Sequence, residues 1–310
     1  MLVAGGAGFI GRSMCARLLD RGDEVICVDN LVTGSISHVK DLEDRKGFSF
    51  VEADISSVGE LAVGAVDAVV NLACPASPAD FGPLSLEILD VGSRGVVNLL
   101  ELCVRTGARF LQASTSEVYG DPAVHPQPET YWGNVNPVGP RSVYDEAKRF
   151  GEAVTMAYHR RFGADVRIAR IFNTYGPGMR HDDGRVVSNF VTQALRGEPL
   201  TVYGDGTQTR SLCFVEDEVG GLIALLESDV GTPVNIGNDD ERTIAEIASL
   251  IIELCGSPSE ISHLPLPADD PMQRRPDLTV ARTRLGWEPT TQLRDGLART
   301  IDWFRSTAER

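Results

Sequence analysis

Short apolar runs rich in β-branched residues alternate with longer helical patterns through the first half of this chain. That order is the signature of βαβ units, in which parallel strands form one sheet and helices cover both of its faces. Strands are predicted at Leu2–Ala4, Glu24–Asp29, Phe48–Glu52, Asp67–Ala73, Arg109–Thr115 and Asp165–Phe172, and helices at Phe9–Asp20, Pro83–Thr106 and Ser142–Phe162. Each helix ends near a glycine (Gly22, Gly107, Gly163), the usual stop signal. The fold class is therefore α/β, a doubly wound parallel sheet of the Rossmann type.

After Phe172 the alternation stops and the chain turns rich in Gly, Pro, Asn and Arg, as in Asn173–Arg185, Tyr203–Arg210 and Pro265–Pro276. Loops of that kind bind ligands more often than they fill space. A helix at Glu216–Glu227 and a strand at Pro233–Ile236 look like returns to the sheet. The expected organisation is a Rossmann domain over 1–172 with returns near 212–236, and a smaller, discontinuous α/β domain, ligand-binding through these loops, mainly over 173–310.

The 310 residues are 42% hydrophobic, enough to bury one large core or two modest ones without disulfides. With 44 acidic against 29 basic residues the formal charge is −15. Such a field repels nucleic acid and anionic membrane surfaces, so a phosphate-bearing ligand needs local groups to hold it. The six cysteines include no CxxC pair and no histidine at metal-ligand spacing, so no metal is expected. Five read as core residues; Cys74 falls in a loop expected near the substrate. The glycine-broken start lacks a basic leading segment, and no apolar run reaches the roughly 20 residues that span a bilayer, which makes the cytoplasm the expected location.

Gly5, Gly8 and Gly11 follow the first strand and open the first helix. There they permit a tight turn and let the backbone meet a pyrophosphate at the positive end of the helix. Three such glycines can also be an ordinary turn, but the second strand ends in Asp29, spaced to take ribose hydroxyls and to disfavour a 2′-phosphate. The expected cofactor is NAD rather than NADP. The first strand starts at Met1 and is short, as a shortened start or a frayed sheet edge would leave it.

Tyr144 and Lys148 stand four residues apart, one turn on the same helical face. With six tyrosines in the chain, and Lys40, Lys46 and Lys148 as its lysines, chance supplies roughly 0.06 such pairs. For Tyr144 to act as a base near neutrality, its pKa must fall from about 10 to about 7, which needs roughly 4 kcal/mol of phenolate stabilisation. Lys148 and the nicotinamide charge are the expected sources. Thr115, Ser116 and Glu117 end a predicted strand at the carboxyl edge of the sheet, where doubly wound folds bind ligands. They read as hydroxyls to orient a sugar oxygen and a carboxylate to manage protons beside it. No aspartate adjoins Glu117, which disfavours a 4,6-dehydratase.

On these residues, and on the stretches Ser114–Gln127, Asn136–Arg149, Ala169–Met179, Asp183–Phe190, Gly197–Ser211, Asp269–Asp277 and Gly286–Pro289, the sequence resembles the UDP-glucuronate decarboxylases, a branch of the extended short-chain dehydrogenase/reductases. The resemblance implies NAD-dependent oxidation of UDP-glucuronate at C4, loss of carbon dioxide from the resulting β-keto acid, and re-reduction to UDP-xylose. It implies Tyr144 as base, Lys148 as its partner, Ser116 and Thr115 as helpers and Glu117 as the carboxylate near C5. It adds Phe9, Ile10, Asn30, Asp54, Ile55 and Leu72 to the cofactor contacts, and it makes Asn173, Arg185, Asn189, Tyr203, Arg210 and Arg274 hold the substrate, Arg274 through either diphosphate or carboxylate. A homodimer joined through the helices at Pro83–Thr106 and Ser142–Phe162 is expected as well.

Three departures from the resembled pattern stand out. Cys74 replaces a serine, Gly92 and Arg94 replace an asparagine and an apolar residue, and Ala147 replaces a glycine. Gly92 and Arg94 are expected to border the nicotinamide and to loosen NADH, so that a UDP-4-keto-pentose escapes beside UDP-xylose. Rival readings on the same scaffold are a 4-epimerase or 4,6-dehydratase. A rival of another class is a non-catalytic NAD-sensing protein.

Overall fold

The structure, a computed structural model, describes residues 1–57, 63–266 and 271–308. In chain order the elements begin β1 (Leu2–Ala4), α1 (Phe9–Asp20), β2 (Val25–Asp29), β3 (Phe48–Glu52), β4 (Ala68–Asn71), α2 (Ser85–Asp90), α3 (Val96–Thr106), β5 (Arg109–Thr115), α4 (Ser142–Phe162) and β6 (Val166–Ile171). There follow β7 (Thr174–Tyr175), α5 (Val186–Arg196), β8 (Leu200–Tyr203), β9 (Thr209–Ser211), β10 (Cys213–Phe214), α6 (Val215–Glu227) and β11 (Pro233–Ile236). The last are β12 (Glu241–Thr243), α7 (Ile244–Cys255), β13 (Ile261–Leu264) and α8 (Leu293–Ala308).

Seven strands form one sheet in the order β11-β6-β5-β4-β1-β2-β3, every neighbour parallel. This is the doubly wound order with a seventh strand added beside β6. β1 and β4 are buried along their whole length, as strands covered on both faces must be. The short first strand is not at an edge: β1 pairs with β2 on one side and β4 on the other. Expected fraying there is overturned, because a central strand three residues long has ladder partners on both sides.

Met14 and Leu18 of α1 pack with Leu222 and Leu225 of α6 on one face of the sheet. Leu99 and Leu102 of α3 cover the other face. α4 ends where Gly163 adopts the left-handed conformation (φ +69°) and closes the last turn. The helix expected over Pro83–Thr106 begins at Ser85 and is broken by a π-turn at Val91–Gly95. A β-carbon at Gly92 would lie 2.6 Å from that of Ala147, and one at Gly95 2.9 Å from Ile55. The widened turn thus presses two bare backbone positions against α4 and against the loop after β3.

Beyond β6, the irregular stretch expected from the sequence contains three further helices, α5, α7 and α8. Their inner faces build a second core in which Phe190, Val191, Ile247, Ile251, Leu297, Ile301 and Phe304 are buried. α7 starts with a reciprocal capping box between Thr243 and Glu246. Cys15, Cys27, Cys103 and Cys213 are core residues as expected, whereas Cys255 at the end of α7 is only half-buried. Asp269 and Asp270, which open one of the resembling stretches, lie outside the described residues. Among the described residues, no helix is long and apolar enough to cross a membrane.

Candidate active site

A cavity of about 440 Å³ runs along the carboxyl ends of β1, β4, β5 and β6 and continues under α5, β8 and β9. One end is the glycine turn after β1. Gly5 takes the left-handed conformation (φ +77°), and a β-carbon on it would lie 2.7 Å from the Ala73 nitrogen. At Gly11 a β-carbon would fall 1.9 Å from the Gly5 carbonyl oxygen, so α1 can begin this close to β1 only without side chains. Gly8, the N-cap of α1, brings no side-chain cap, and the first turn's amides are left for a ligand. This bare, positively polarised cradle fits a dinucleotide pyrophosphate. Gly5, Gly8, Phe9, Ile10, Gly11 and Leu72 line the cavity.

Asp29, Asn30, Asp54 and Ile55 cluster beside this end, at the carboxyl ends of β2 and β3, and are not part of the cavity wall. Asp29 braces the glycine turn: its carboxylate accepts from the Ala7 amide at 3.0 Å and from the Leu31 amide at 2.8 Å. Burial raises its pKa, against the opposing effect of those amides. Asn30 donates to Asp54 at 3.3 Å. Ile55 packs under the π-turn at Gly95.

Tyr144 and Lys148 project from α4 toward the end of β5, and both are buried. The Tyr144 ring stacks on Phe81 with centroids 5.0 Å apart. Lys148 Nζ donates to the Ala113 carbonyl at 3.0 Å and lies 5.6 Å from the Tyr144 ring centroid. Burial pushes the Tyr144 hydroxyl up, Cys74 and Glu117 add to that, and a hydrogen bond with Thr115 opposes it. The lowered pKa expected from Lys148 is therefore not a property of these residues alone. Burial is the larger cause, and the ammonium is bonded to a backbone carbonyl rather than to the phenol.

Thr115, Ser116 and Glu117 turn off β5 directly beneath Tyr144, and Thr115 caps the turn by accepting from the Glu117 amide at 3.2 Å. Glu117 is clamped between two arginines. Arg274 donates through Nη1 at 2.5 Å and Nη2 at 2.9 Å, and Arg141 donates through Nη2 at 2.9 Å. Burial alone would raise the Glu117 pKa, but the guanidiniums of Arg274 and Arg141 hold it at about 2. Arg274 also reaches Asn173 Oδ1 at 3.4 Å. Arg141 was not anticipated; its place three residues before Tyr144, at the N-cap of the same helix, was the available signal.

All six expected substrate contacts, Asn173, Arg185, Asn189, Tyr203, Arg210 and Arg274, line the cavity, Asn173 and Arg274 at its Glu117 end. Arg185 N-caps α5, pairs with Asp183 and sits 6.0 Å over the Phe9 ring, joining α5 to the glycine turn. Arg210 is buried on β9. Phe81, Arg180 and Gln208 also line the wall and were not foreseen.

Of the departures, Cys74 does line the cavity. Gly92 and Arg94 do not border it, which corrects the expectation placed on them. Gly92 is buried against Ala147, while Arg94 faces solvent and pairs with Asp90 at 3.0 Å. Gly92 and Ala147 are complementary: where the resembled pattern sets asparagine and glycine, this chain has the bare position on the other helix.

Residues 1–237 match the family model described as the NAD dependent epimerase/dehydratase family. UDP-glucuronic acid decarboxylase 1 of Arabidopsis thaliana is 49% identical over 306 residues, covering 99% of this chain and 70% of that one. Among solved structures, the UDP-glucose 4-epimerase of Thermotoga maritima superposes with a TM-score of 0.91 at 30% identity, covering 99% of both chains. The UDP-glucuronic acid 4-epimerase of Bacillus cereus, in complex with UDP-glucuronic acid and NAD, gives 0.87 at 28% identity, covering 98% of both.

Proposed function

The chain belongs to the NAD dependent epimerase/dehydratase family, and on that footing we propose that it decarboxylates UDP-glucuronate in an NAD-dependent reaction ending at UDP-xylose. One contrast carries the reading: identity to a UDP-glucuronic acid decarboxylase is 49% over nearly the whole chain, against 28–30% to epimerases of the same fold. NAD, held at the glycine turn, would supply the hydride acceptor for sugar C4 and the hydride donor for its re-reduction.

The chain's own residues divide the remaining work. Tyr144 exchanges the C4 hydroxyl proton, with Lys148 as its neighbouring cation and Thr115 and Ser116 orienting the oxygen. Oxidation at C4 makes the C6 carboxylate a β-keto acid: the C5–C6 electron pair flows into the ketone as carbon dioxide leaves, and the resulting enolate takes a proton from water at C5 before C4 is reduced again. Glu117, fixed as an anion, orients the ring near C5. Asn173, Arg185, Asn189, Tyr203 and Arg210 hold the diphosphate and uridine, where guanidinium forks suit phosphate oxygens in an otherwise acidic protein. The glycine turn, with Phe9, Ile10, Asp29, Asn30, Asp54, Ile55 and Leu72, holds the cofactor.

The division into a cofactor domain over 1–172 with returns near 212–236, and a substrate domain over the remainder, belongs to the same reading. So does a homodimer: Leu86 and Leu89 on α2, with Phe150 and Phe162 on α4, expose large apolar side chains on adjoining helices. Six unpaired cysteines suit a reducing compartment such as the cytoplasm. Incubation with UDP-glucuronate tests the activity. Carbon dioxide and UDP-xylose are expected, whereas an isomeric UDP-sugar without carbon dioxide would establish an epimerase instead.

A further inference from the structure

The hydroxyl oxygen of Tyr144 lies on the axis of its own ring, so rotation about χ2 leaves the oxygen in place and turns only the ring plane. That plane matters, because conjugation keeps a phenol O–H in the plane of its ring and proton transfer follows that direction. χ2 of a tyrosine is a broad, two-fold torsion, and a helix restrains χ1 instead. A group outside α4 has to fix the plane if Tyr144 is to serve one sugar oxygen. Phe81 is that group by position. Its ring is 6% exposed, lines the cavity, and lies flat against Tyr144, with planes 16° from parallel. Ile88 and Ala147 belong to the same buried apolar cluster, and the Arg141 guanidinium stands 5.6 Å from the Phe81 centroid.

Phe81 is held in turn by its loop. Ser77 accepts from the Ala79 amide at 3.1 Å, which closes the turn Pro78–Asp80 directly before Phe81, and its hydroxyl donates to the Asp183 carbonyl. Asp80 accepts from Arg180 Nη2 at 3.3 Å through each of its oxygens. The loop after β4 is thereby tied twice to the loop before α5, and the Phe81 ring is not free to follow Tyr144. Resting on the reading of Tyr144 as the base at C4, we propose that Phe81 is a positioning residue for that proton transfer: by stacking on Tyr144 it holds the ring plane in which the phenol meets the sugar hydroxyl. Leucine or methionine at this position fills similar space but offers no flat face. The Tyr144 ring then turns about an unmoved oxygen, so the sugar still binds while productive orientations become a minority.

Rapid mixing of NAD-loaded protein with UDP-glucuronate tests this, because NADH absorbance reports C4 oxidation whatever follows it. Phe81→Leu is expected to slow NADH formation at least about tenfold while the half-saturating concentration of UDP-glucuronate stays within about threefold. Phe81→Tyr, which keeps the flat face, recovers most of the rate. Ring-flip rates of labelled Tyr144, measured by NMR, give a readout that needs no turnover: flipping is faster in Phe81→Leu than in the wild type and in Phe81→Tyr. A Phe81→Leu rate within about twofold of the wild type, a loss shared equally by Phe81→Tyr, a loss confined to half-saturation, or an unchanged ring-flip rate overturns the proposal. If Phe81→Leu does not fold, as judged by its melting curve, Phe81→Met takes its place. A rate that follows melting temperature across the series, rather than the presence of a ring, also decides against it. Carbon dioxide is measured in the same mixtures. Wild-type protein that forms NADH without releasing carbon dioxide refutes the decarboxylase reading, and the same series still decides the role of Phe81. Carbon dioxide release with a normal rate in Phe81→Leu refutes only that role.

Discussion

Replacing Gly92 by alanine adds one methyl group at the point where the π-turn touches α4. Its β-carbon would stand 2.6 Å from that of Ala147, and two carbons rest at about 3.5–4.0 Å, so the helices must part by about 1 Å. Overpacking of this kind costs about 1–3 kcal/mol, against a gain of up to about 1 kcal/mol from removing a helical glycine. Gly92→Ala is thus expected to destabilise by about 0–2 kcal/mol. Ala147→Gly alone loses about 1 kcal/mol of helix propensity and about as much again in buried methyl. In the double variant the clash is gone and the alanine at 92 keeps its helical gain, leaving a net loss of about 1 kcal/mol. The cycle therefore carries a favourable coupling of about 1–3 kcal/mol, read from urea midpoints of the four proteins. Additivity within about 0.5 kcal/mol would show that the contact does not constrain the two helices. Product ratios should be unaffected by Arg94→Ile, whose side chain points to solvent; a shift toward a keto-sugar would restore the role first read into that position.

Tyr144→Phe is expected to lower kcat by several orders of magnitude while UDP binding stays within a few-fold, and retained turnover within about tenfold removes it as the base. Glu117→Gln leaves two guanidiniums facing a neutral group and should destabilise by about 3–5 kcal/mol at neutral pH, measured by urea unfolding. Because Glu117 sits at about 2 rather than its ordinary 4.5, its stabilisation is complete above about pH 4.5 and is lost as pH falls toward 2; Glu117→Gln should flatten that acid limb. Light scattering at micromolar concentration should give twice the 33.5 kDa chain mass, and a monomer would exclude the α2–α4 interface.

The sheet was legible because its strands are apolar runs bounded by turn residues, and β3, β5 and β11 begin and end where the pattern places them. The glycine turn and the Tyr144–Lys148 pair were legible because each is local, its spacing fixing the geometry. The second core was not. α5, α7 and α8 each bury one stripe against the others, and the loops between them dilute the period, although Leu297, Ile301 and Phe304 keep helical spacing. The π-turn also escaped notice, since its cause is a contact between Gly92 and a residue 55 positions later. Glu117 and Arg274 lie 157 positions apart, and no local pattern shows that their side chains meet. A substrate-binding arginine and a carboxylate were each foreseen; that they hold one another was not.

That mutual hold changes what each group can do. With its two oxygens accepting from Arg274 and Arg141, Glu117 has no proton to give near neutrality, so it orients and accepts but does not act as an acid. Tyr144, which lines the same cavity, is pushed the opposite way and begins as a neutral phenol. Environments that drive two titratable groups apart are how one pocket assigns opposite proton roles to its members. The chain's own lever for drawing the phenol proton off is Lys148. Its ammonium, committed to the Ala113 carbonyl 3.0 Å away, acts on Tyr144 through space rather than through a hydrogen bond. Lys148→Met should therefore raise the pH at which turnover begins more than it weakens UDP-sugar binding. An unchanged pH profile would mean that this charge does not reach the phenol.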